Sequence, residues 1–143
     1  MTPDELQARF TAEIEKRAVF DRYIDGQEER ELMQIGIQHG YDTQAARDFL
    51  VEVCTQRGYI IEAAVVTRIR EQLRTAVRGD GLLDRQGYER VVKDARDAVN
   101  GTTRTESDVR RLVLITLNDA GSPQVKTGWF GNWFAKAKRH VGV

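Results

Sequence analysis

The feature that most constrains the fold is the position of the two prolines. The chain has 143 residues, and its only prolines are Pro3 and Pro123, near its two ends. The long stretch between them lacks the residue that most strongly breaks helices. Helix is therefore permitted along almost the whole chain, and capping residues decide where each helix begins and ends.

Helix starts and stops recur along this stretch. Residues whose side-chain oxygen can cap a helix precede apolar stripes at helical spacing, and these are Thr2, Asp25, Thr43, Asp84 and Thr105. Glycines that suit a helix C-terminus follow the stripes, and these are Gly40, Gly58, Gly79, Gly101 and Gly121. The pattern predicts an all-α bundle of six or seven helices without a sheet.

One helix is predicted to be long and central. Between Ile60 and Val77 an apolar residue recurs every fourth position, in the series Ile61, Val65, Ile69, Leu73 and Val77. The segment around Val113–Ile115 has the β-branched composition of a strand, but the caps on either side favour a helix.

The two halves of the chain show a similar order of helix signals. Each contains a capping Asp, a helix, a glycine, a helix with a capping threonine, and a closing glycine. Asp25 and Asp84 occupy equivalent places in this order. A duplicated helix pair and two unrelated pairs of capped helices both explain the pattern, because few side-chain identities hold between the halves.

The first of these helix pairs begins at an acidic turn and contains the residues Ile24, Asp25, Glu28, Glu29, Leu32, Ile35, Gly40, Ala45 and Ala46. These residues resemble the acidic turn and following helix pair of TerB-like domains of the tellurite-resistance type. The resemblance spans roughly residues 20 to 120, and Asp80–Asp84 is similar to the same acidic turn. The resemblance implies an all-α binding module in a stress-linked or membrane-associated bacterial assembly, rather than an enzyme. The acidic patch of the family is not matched residue by residue.

No catalytic site, cofactor site or metal site is predicted. The two histidines, His39 and His140, lie on different segments without the ligand spacing of a zinc site. His39 fits a helix C-terminus, and Cys54 falls on an apolar stripe as a buried small residue. If Gly81 is placed at the sixth position of a calcium loop, most ligand positions hold unsuitable residues.

Composition favours a cytoplasmic protein without a nucleic-acid partner. The formal net charge is zero, which removes the general electrostatic attraction to nucleic acid. The single cysteine cannot form an internal disulfide, and the N-terminus has no secretory pattern. No apolar run approaches the roughly 20 residues that cross a bilayer.

The C-terminal segment is the candidate binding element. We expect a helical domain at 1–121, a linker at 122–128, and an amphipathic helix at 129–141. From Ser122 to Val143 there are four Lys or Arg and no Asp or Glu. The candidate partner- or membrane-binding residues are Trp129, Phe130, Trp133, Phe134, Lys136, Lys138 and Arg139.

Three interpretations of this segment stay open. The helix docks on the rest of the chain, lies in an anionic membrane surface, or inserts into the groove of a partner. We expect at least partial docking, because four exposed aromatic rings would promote aggregation. The leading functional hypothesis is a non-enzymatic module that binds a protein partner, and the alternative is a peripheral binder of anionic membranes.

Overall fold

The computed structural model describes residues 2–119, 121–125 and 133–143, and in these the chain forms seven helices. This confirms the predicted all-α class, and the segment predicted as a long helix between Ile60 and Val77 is helical over Glu62–Ala76. The helices are α1 (Pro3–Ala18), α2 (Gly26–Gln38), α3 (Thr43–Arg57), α4 (Glu62–Ala76), α5 (Arg85–Ala98), α6 (Glu106–Leu117) and α7 (Trp133–Val141).

The described residues also contain four two-residue strands, which join in two short parallel bridges. The strands are β1 (Tyr23–Ile24), β2 (Ile60–Ile61), β3 (Leu82–Leu83) and β4 (Gln124–Val125). β1 pairs with β2, and β3 pairs with β4. Sequence analysis expected no sheet and did not anticipate these bridges, because two residues are too few to show strand alternation.

The predicted helix starts are confirmed at Thr2, Asp25, Asp84 and Thr105, each of which accepts a backbone N–H three residues ahead. The prediction for Thr43 was wrong by one position. Asp42 caps α3 by accepting from the N–H of Ala45 at 2.7 Å. Both residue types cap helices well, so the sequence did not distinguish them.

The chain is divided into two units. The N-terminal unit comprises Met1–Ala63 with Gly101–Thr103, and the C-terminal unit comprises Ala64–Asn100 with Arg104–Val143. The order helix, strand, helix, helix, strand, helix runs from α1 to α4 and again from α4 to α7. This order agrees with a repeated helix pair, and a common origin of the two halves stays a prediction.

The two units carry opposite formal charges. The N-terminal unit contains 13 Asp or Glu and 7 Lys or Arg, a net charge of −6. The C-terminal unit contains 9 Asp or Glu and 15 Lys or Arg, a net charge of +6. The zero net charge of the whole chain therefore conceals a basic unit that can attract an anionic partner.

The core of the N-terminal unit is built around Phe10. Its side chain is fully buried on α1, and its ring centroid lies 5.9 Å from that of Tyr41 and 5.5 Å from that of Phe49. Other buried members of the same cluster are Ile14, Ala18, Ile24, Leu32, Leu50, Val53 and Cys54. Burial of this apolar surface supplies the main favourable free energy of folding for the unit.

Glu62, at the start of α4, links three elements of the N-terminal unit. Its carboxylate accepts a hydrogen bond from the Tyr23 hydroxyl at 3.0 Å and from the backbone N–H of Gly26 at 2.9 Å. Gly26 is the first residue of α2, where free N–H groups favour a negative charge.

We expect the substitution Glu62→Gln to lower the free energy of unfolding by about 0.5–1.5 kcal/mol, because a neutral amide accepts these bonds more weakly than a carboxylate. The measurement is urea denaturation followed by circular dichroism. Glu52→Gln is the matched control, since Glu52 is exposed and its bond from Gln56 is 3.5 Å long. Equal changes in the two variants would contradict a stabilising role of Glu62.

Candidate binding groove on the C-terminal unit

Three helices of the C-terminal unit, α5, α6 and α7, surround a groove of about 480 Å³. This volume lies in the range of small-molecule and peptide side-chain pockets. The groove is lined by Arg85, Tyr88, Glu89, Glu106, Arg110, Trp133, Lys136, Ala137 and His140.

Helical spacing places these side chains on common faces. On α5, Arg85, Tyr88 and Glu89 are three and four positions apart, and neighbours at this spacing share one face of a helix. Glu106 and Arg110 are four apart on α6. The lining residues of α7 follow the same rule. Packing of α5 against α6, and of α6 against α7, then brings the three faces together.

Aromatic rings form the apolar part of the lining. Tyr88 is only 1% exposed, and its ring centroid lies 5.1 Å from that of Trp133. Phe134 meets Trp133 edge to face at 5.8 Å. Burial raises the pKa of the Tyr88 hydroxyl, and Arg110 opposes the change, so this hydroxyl stays neutral near pH 7.

Arg110 neutralises much of the negative charge in the groove. It donates to the two carboxylate oxygens of Glu89 at 3.1 and 2.9 Å, and lies 3.7 Å from Glu106. Hydrogen bonding to Glu89 raises the pKa of Arg110 above its usual range. Glu106 is also paired with Arg96 at 2.9 Å. The two acidic residues of the groove are thus already engaged by arginines.

The lining also contains three basic residues besides Arg110. Arg85, Lys136 and His140 are exposed, and none of them forms an ion pair with a residue in the part of the chain that the structure describes. Arg85 lies on the α5 wall, while Lys136 and His140 lie on the α7 wall. The groove therefore offers unpaired basic groups beside an aromatic surface.

The structure brings two of the predicted site residues, Trp133 and Lys136, into this groove. Lys138 instead lies over the ring of Phe134, with its Nζ atom 4.6 Å from the ring centroid. Arg139 is exposed and does not line the groove. The remaining two predicted residues, Trp129 and Phe130, lie outside the described residues, as do 126–128 of the predicted linker. The preceding linker residues Gln124–Val125 form β4.

Docking of α7 agrees with the expectation that the C-terminal helix folds back. Trp133 is half-buried against Tyr88, and Val141 is buried. α7 packs on α6 within the C-terminal unit. The binding roles assigned to this helix by sequence analysis stay predictions.

Sequence analysis missed seven lining residues, which are Arg85, Tyr88, Glu89, Glu106, Arg110, Ala137 and His140. The sequence shows a four-residue spacing between Arg85 and Glu89 and between Glu106 and Arg110. This spacing is typical of ordinary ion pairs on the surface of a single helix. The pairing of Arg110 with Glu89 joins two helices and a separation of 21 residues. No pattern within one helix indicates a contact of that kind.

The other polar residues considered in the sequence analysis cap helices or stabilise turns. Asp84 caps α5 and lies 3.3 Å from Arg78, while Asp80 accepts from the N–H of Leu82 at 3.0 Å. His39 is the C-terminal capping residue of α2. Among the described residues, no group of three or more His, Cys, Asp or Glu is placed to hold a metal ion.

Cys54 is a buried member of the N-terminal core, with 1% of its surface exposed. Burial, assisted by the negative charge of Glu29, raises the pKa of its thiol to about 11. The thiol is therefore protonated near pH 7, and the thiolate form needed for nucleophilic chemistry is scarce.

Comparison with known proteins identifies no relative: no family model matches the chain, and neither a curated protein nor a solved structure is significantly similar to it. Within the described ranges, none of the helices combines the length and apolar character needed to span a membrane.

Proposed function

We propose that this chain is a non-enzymatic helical module that binds a protein partner in the groove between α5, α6 and α7. The observation that supports the proposal is the lining of that groove, in which Tyr88 and Trp133 adjoin Arg85 and Lys136, two basic residues without an ion pair to any other described residue. Tyrosine, tryptophan and arginine side chains in a well-packed pocket are typical of protein-binding hot spots. A TerB-like resemblance agrees with a binding role.

The packing of α7 favours this function over insertion of its aromatic face into a membrane. Trp133 contacts Tyr88, and Val141 is buried. Insertion of this face into lipid would first require the loss of these contacts. Burial of apolar area is worth roughly 25 cal/mol per Å², so undocking opposes membrane insertion, whereas a partner can enter the groove while α7 stays in place.

Peripheral binding to an anionic membrane is the second candidate function. It is favoured by the exposed basic residues Lys136 and Arg139 on α7, and by the +6 charge of the C-terminal unit. Basic residues near an anionic surface each contribute attraction that salt weakens. This mode needs no insertion of the aromatic rings.

Site-specific photocrosslinking in cells tests the proposed function. A benzoylphenylalanine at position 140, where His140 is exposed and lines the groove, is expected to give adducts with a discrete protein. The same group at position 111 is the control, because Arg111 is exposed on α6 but does not line the groove. Each captured protein is then purified and titrated with the full-length chain.

Two outcomes would contradict the proposal. One is an adduct pattern at position 140 that matches position 111. The other is a purified captured protein that shows no binding to the full-length chain. Sedimentation with vesicles of phosphatidylglycerol and phosphatidylcholine tests the second candidate, and binding that is lost in pure phosphatidylcholine would support it.

A further inference from the structure

We infer that the groove recognises an acidic peptide segment of its partner, with carboxylates facing Arg85 and Lys136 and an apolar residue between them against Trp133. This inference rests on the proposed function and specifies the chemistry of the partner. The inference follows from the charges of the lining residues, their exposure, and the salt bridges between them.

The charge of the groove selects an anion. Glu89 and Glu106 are both engaged by arginines, Glu89 by Arg110 and Glu106 by Arg96 and Arg110. The basic groups of Arg85 and Lys136 remain exposed without ion pairs among the described residues. An incoming carboxylate therefore gains charge-assisted hydrogen bonds without first breaking an internal salt bridge.

The positions of the two basic residues favour an extended ligand over a single small anion. Arg85 is the first residue of α5, whereas Lys136 is on α7. The aromatic pair of Tyr88 and Trp133 belongs to the same two helices. A peptide can place one carboxylate at each wall and cover the aromatic surface with an apolar side chain, which a lone phosphate or acetate cannot do.

The two glutamates argue against a nucleic acid in the groove. A nucleic-acid strand carries a negative charge at every phosphate along its length. Glu89 and Glu106 would lie close to some of these charges, and their pairing with arginines reduces the repulsion without removing the carboxylates. A peptide can present neutral residues at those places, so its carboxylates need only meet the basic groups.

The test uses the full-length chain and two synthetic peptides of equal length. Ac-Glu-Glu-Leu-Phe-Glu-Glu-NH₂ is the acidic probe, and Ac-Gln-Gln-Leu-Phe-Gln-Gln-NH₂ is its neutral counterpart. Binding is measured by ¹H–¹⁵N correlation spectra, which report affinity and location together. We expect the acidic peptide to bind at least tenfold more tightly, with the largest shifts on α5, α6 and α7.

Matched charge reversals separate the groove from the general charge of the unit. Arg85→Glu and Lys136→Glu are each expected to weaken binding of the acidic peptide at least tenfold. Arg111→Glu changes the net charge of the same unit by the same amount outside the lining, and we expect less than a threefold change. All three residues are exposed, and unchanged spectra of the free variants verify their folds.

Specific results would overturn the inference. These are equal binding of the two peptides, equal losses in all three variants, or tighter binding of a ten-residue oligothymidylate than of the acidic peptide. A dimer of the wild-type chain that the acidic peptide dissociates would identify a second copy as the occupant, in place of an external partner. Sedimentation equilibrium detects this case.

The failure of this inference is distinguishable from failure of the proposed function. A protein captured at position 140 whose crosslinked segment lacks Asp and Glu overturns the acidic specificity and leaves protein binding in the groove intact. Peptide binding without any protein adduct specific to position 140 instead contradicts the proposed function.

Discussion

Replacement of Phe10 by alanine is expected to lower the free energy of unfolding of the N-terminal unit by about 3–5 kcal/mol, the usual cost of removing a buried aromatic ring. Phe10 is fully buried, and its ring meets those of Tyr41 and Phe49. The lost ring would leave a cavity between α1, α2 and α3, which pack on one another. Domains of this kind have about 5–15 kcal/mol of total stability, so the loss is a large share.

The matched control for this prediction is Phe20→Ala in the same unit. Phe20 is 91% exposed, so its removal should change the stability by no more than about 0.5 kcal/mol. Hydrogen exchange followed by mass spectrometry measures both variants, because it reports the opening of α1 separately from that of the C-terminal unit. Similar protection of α1 in the two variants would show that Phe10 does not organise this core.

The second large effect is expected from Gly87→Ala, on α5 in the C-terminal unit. A Cβ atom at Gly87 would lie 2.8 Å from the carbonyl oxygen of Ala76 and 2.9 Å from Cδ1 of Leu83. The first of these contacts is with backbone, which cannot move aside as a flexible side chain can. Overpacking of this kind costs about 1–3 kcal/mol, and we expect a loss of about 2 kcal/mol in the free energy of unfolding.

Gly79→Ala controls for the substitution itself. A Cβ atom at Gly79 would have no neighbour within 4 Å, and its backbone is outside the left-handed region. Stability should stay equal or rise by as much as about 1 kcal/mol, because alanine reduces the entropy of the unfolded chain. Urea denaturation monitored by tryptophan fluorescence follows the C-terminal unit, which contains both tryptophans. Equal midpoints for the two variants would contradict close packing at Gly87.

The substitution Gly87→Ala also helps to distinguish a change in the fold from the loss of a binding contact in the groove variants. Gly87 directly precedes Tyr88, which lines the groove. If Gly87→Ala weakens binding of the acidic peptide and also lowers stability, the weaker binding is explained by a displacement of α5. Arg85→Glu should weaken binding while leaving the stability of the C-terminal unit nearly unchanged, since Arg85 is exposed.

Helix positions were predictable because their causes are local. A cap at Thr2, Asp25 or Thr105 acts on an N–H three residues ahead, and all of the necessary residues are adjacent in the sequence. The same locality explains the error at Thr43. Asp42 and Thr43 are neighbouring residues that both cap well, and the backbone conformation of Asp42 made it the cap.

The short strands depended on contacts that a local pattern does not contain. Tyr23 pairs with Ile60 only because α2 and α3 return the chain to β1. Gln124 lies in a segment predicted as a linker, yet it pairs with Leu82. A two-residue parallel bridge has no alternation of its own, so its presence follows from the helix packing around it.

The sequence by itself determined that this protein is helical, where most of its helices begin, and that its C-terminal helix is aromatic and basic. Tertiary structure alone decided that Trp133 meets Tyr88 and that Arg110 engages Glu89. Caps and amphipathic stripes are properties of consecutive residues, whereas the groove arises where three helices pack together. The free energy of that packing depends on side chains far apart in the sequence, and so does the set of charged side chains that lines the groove.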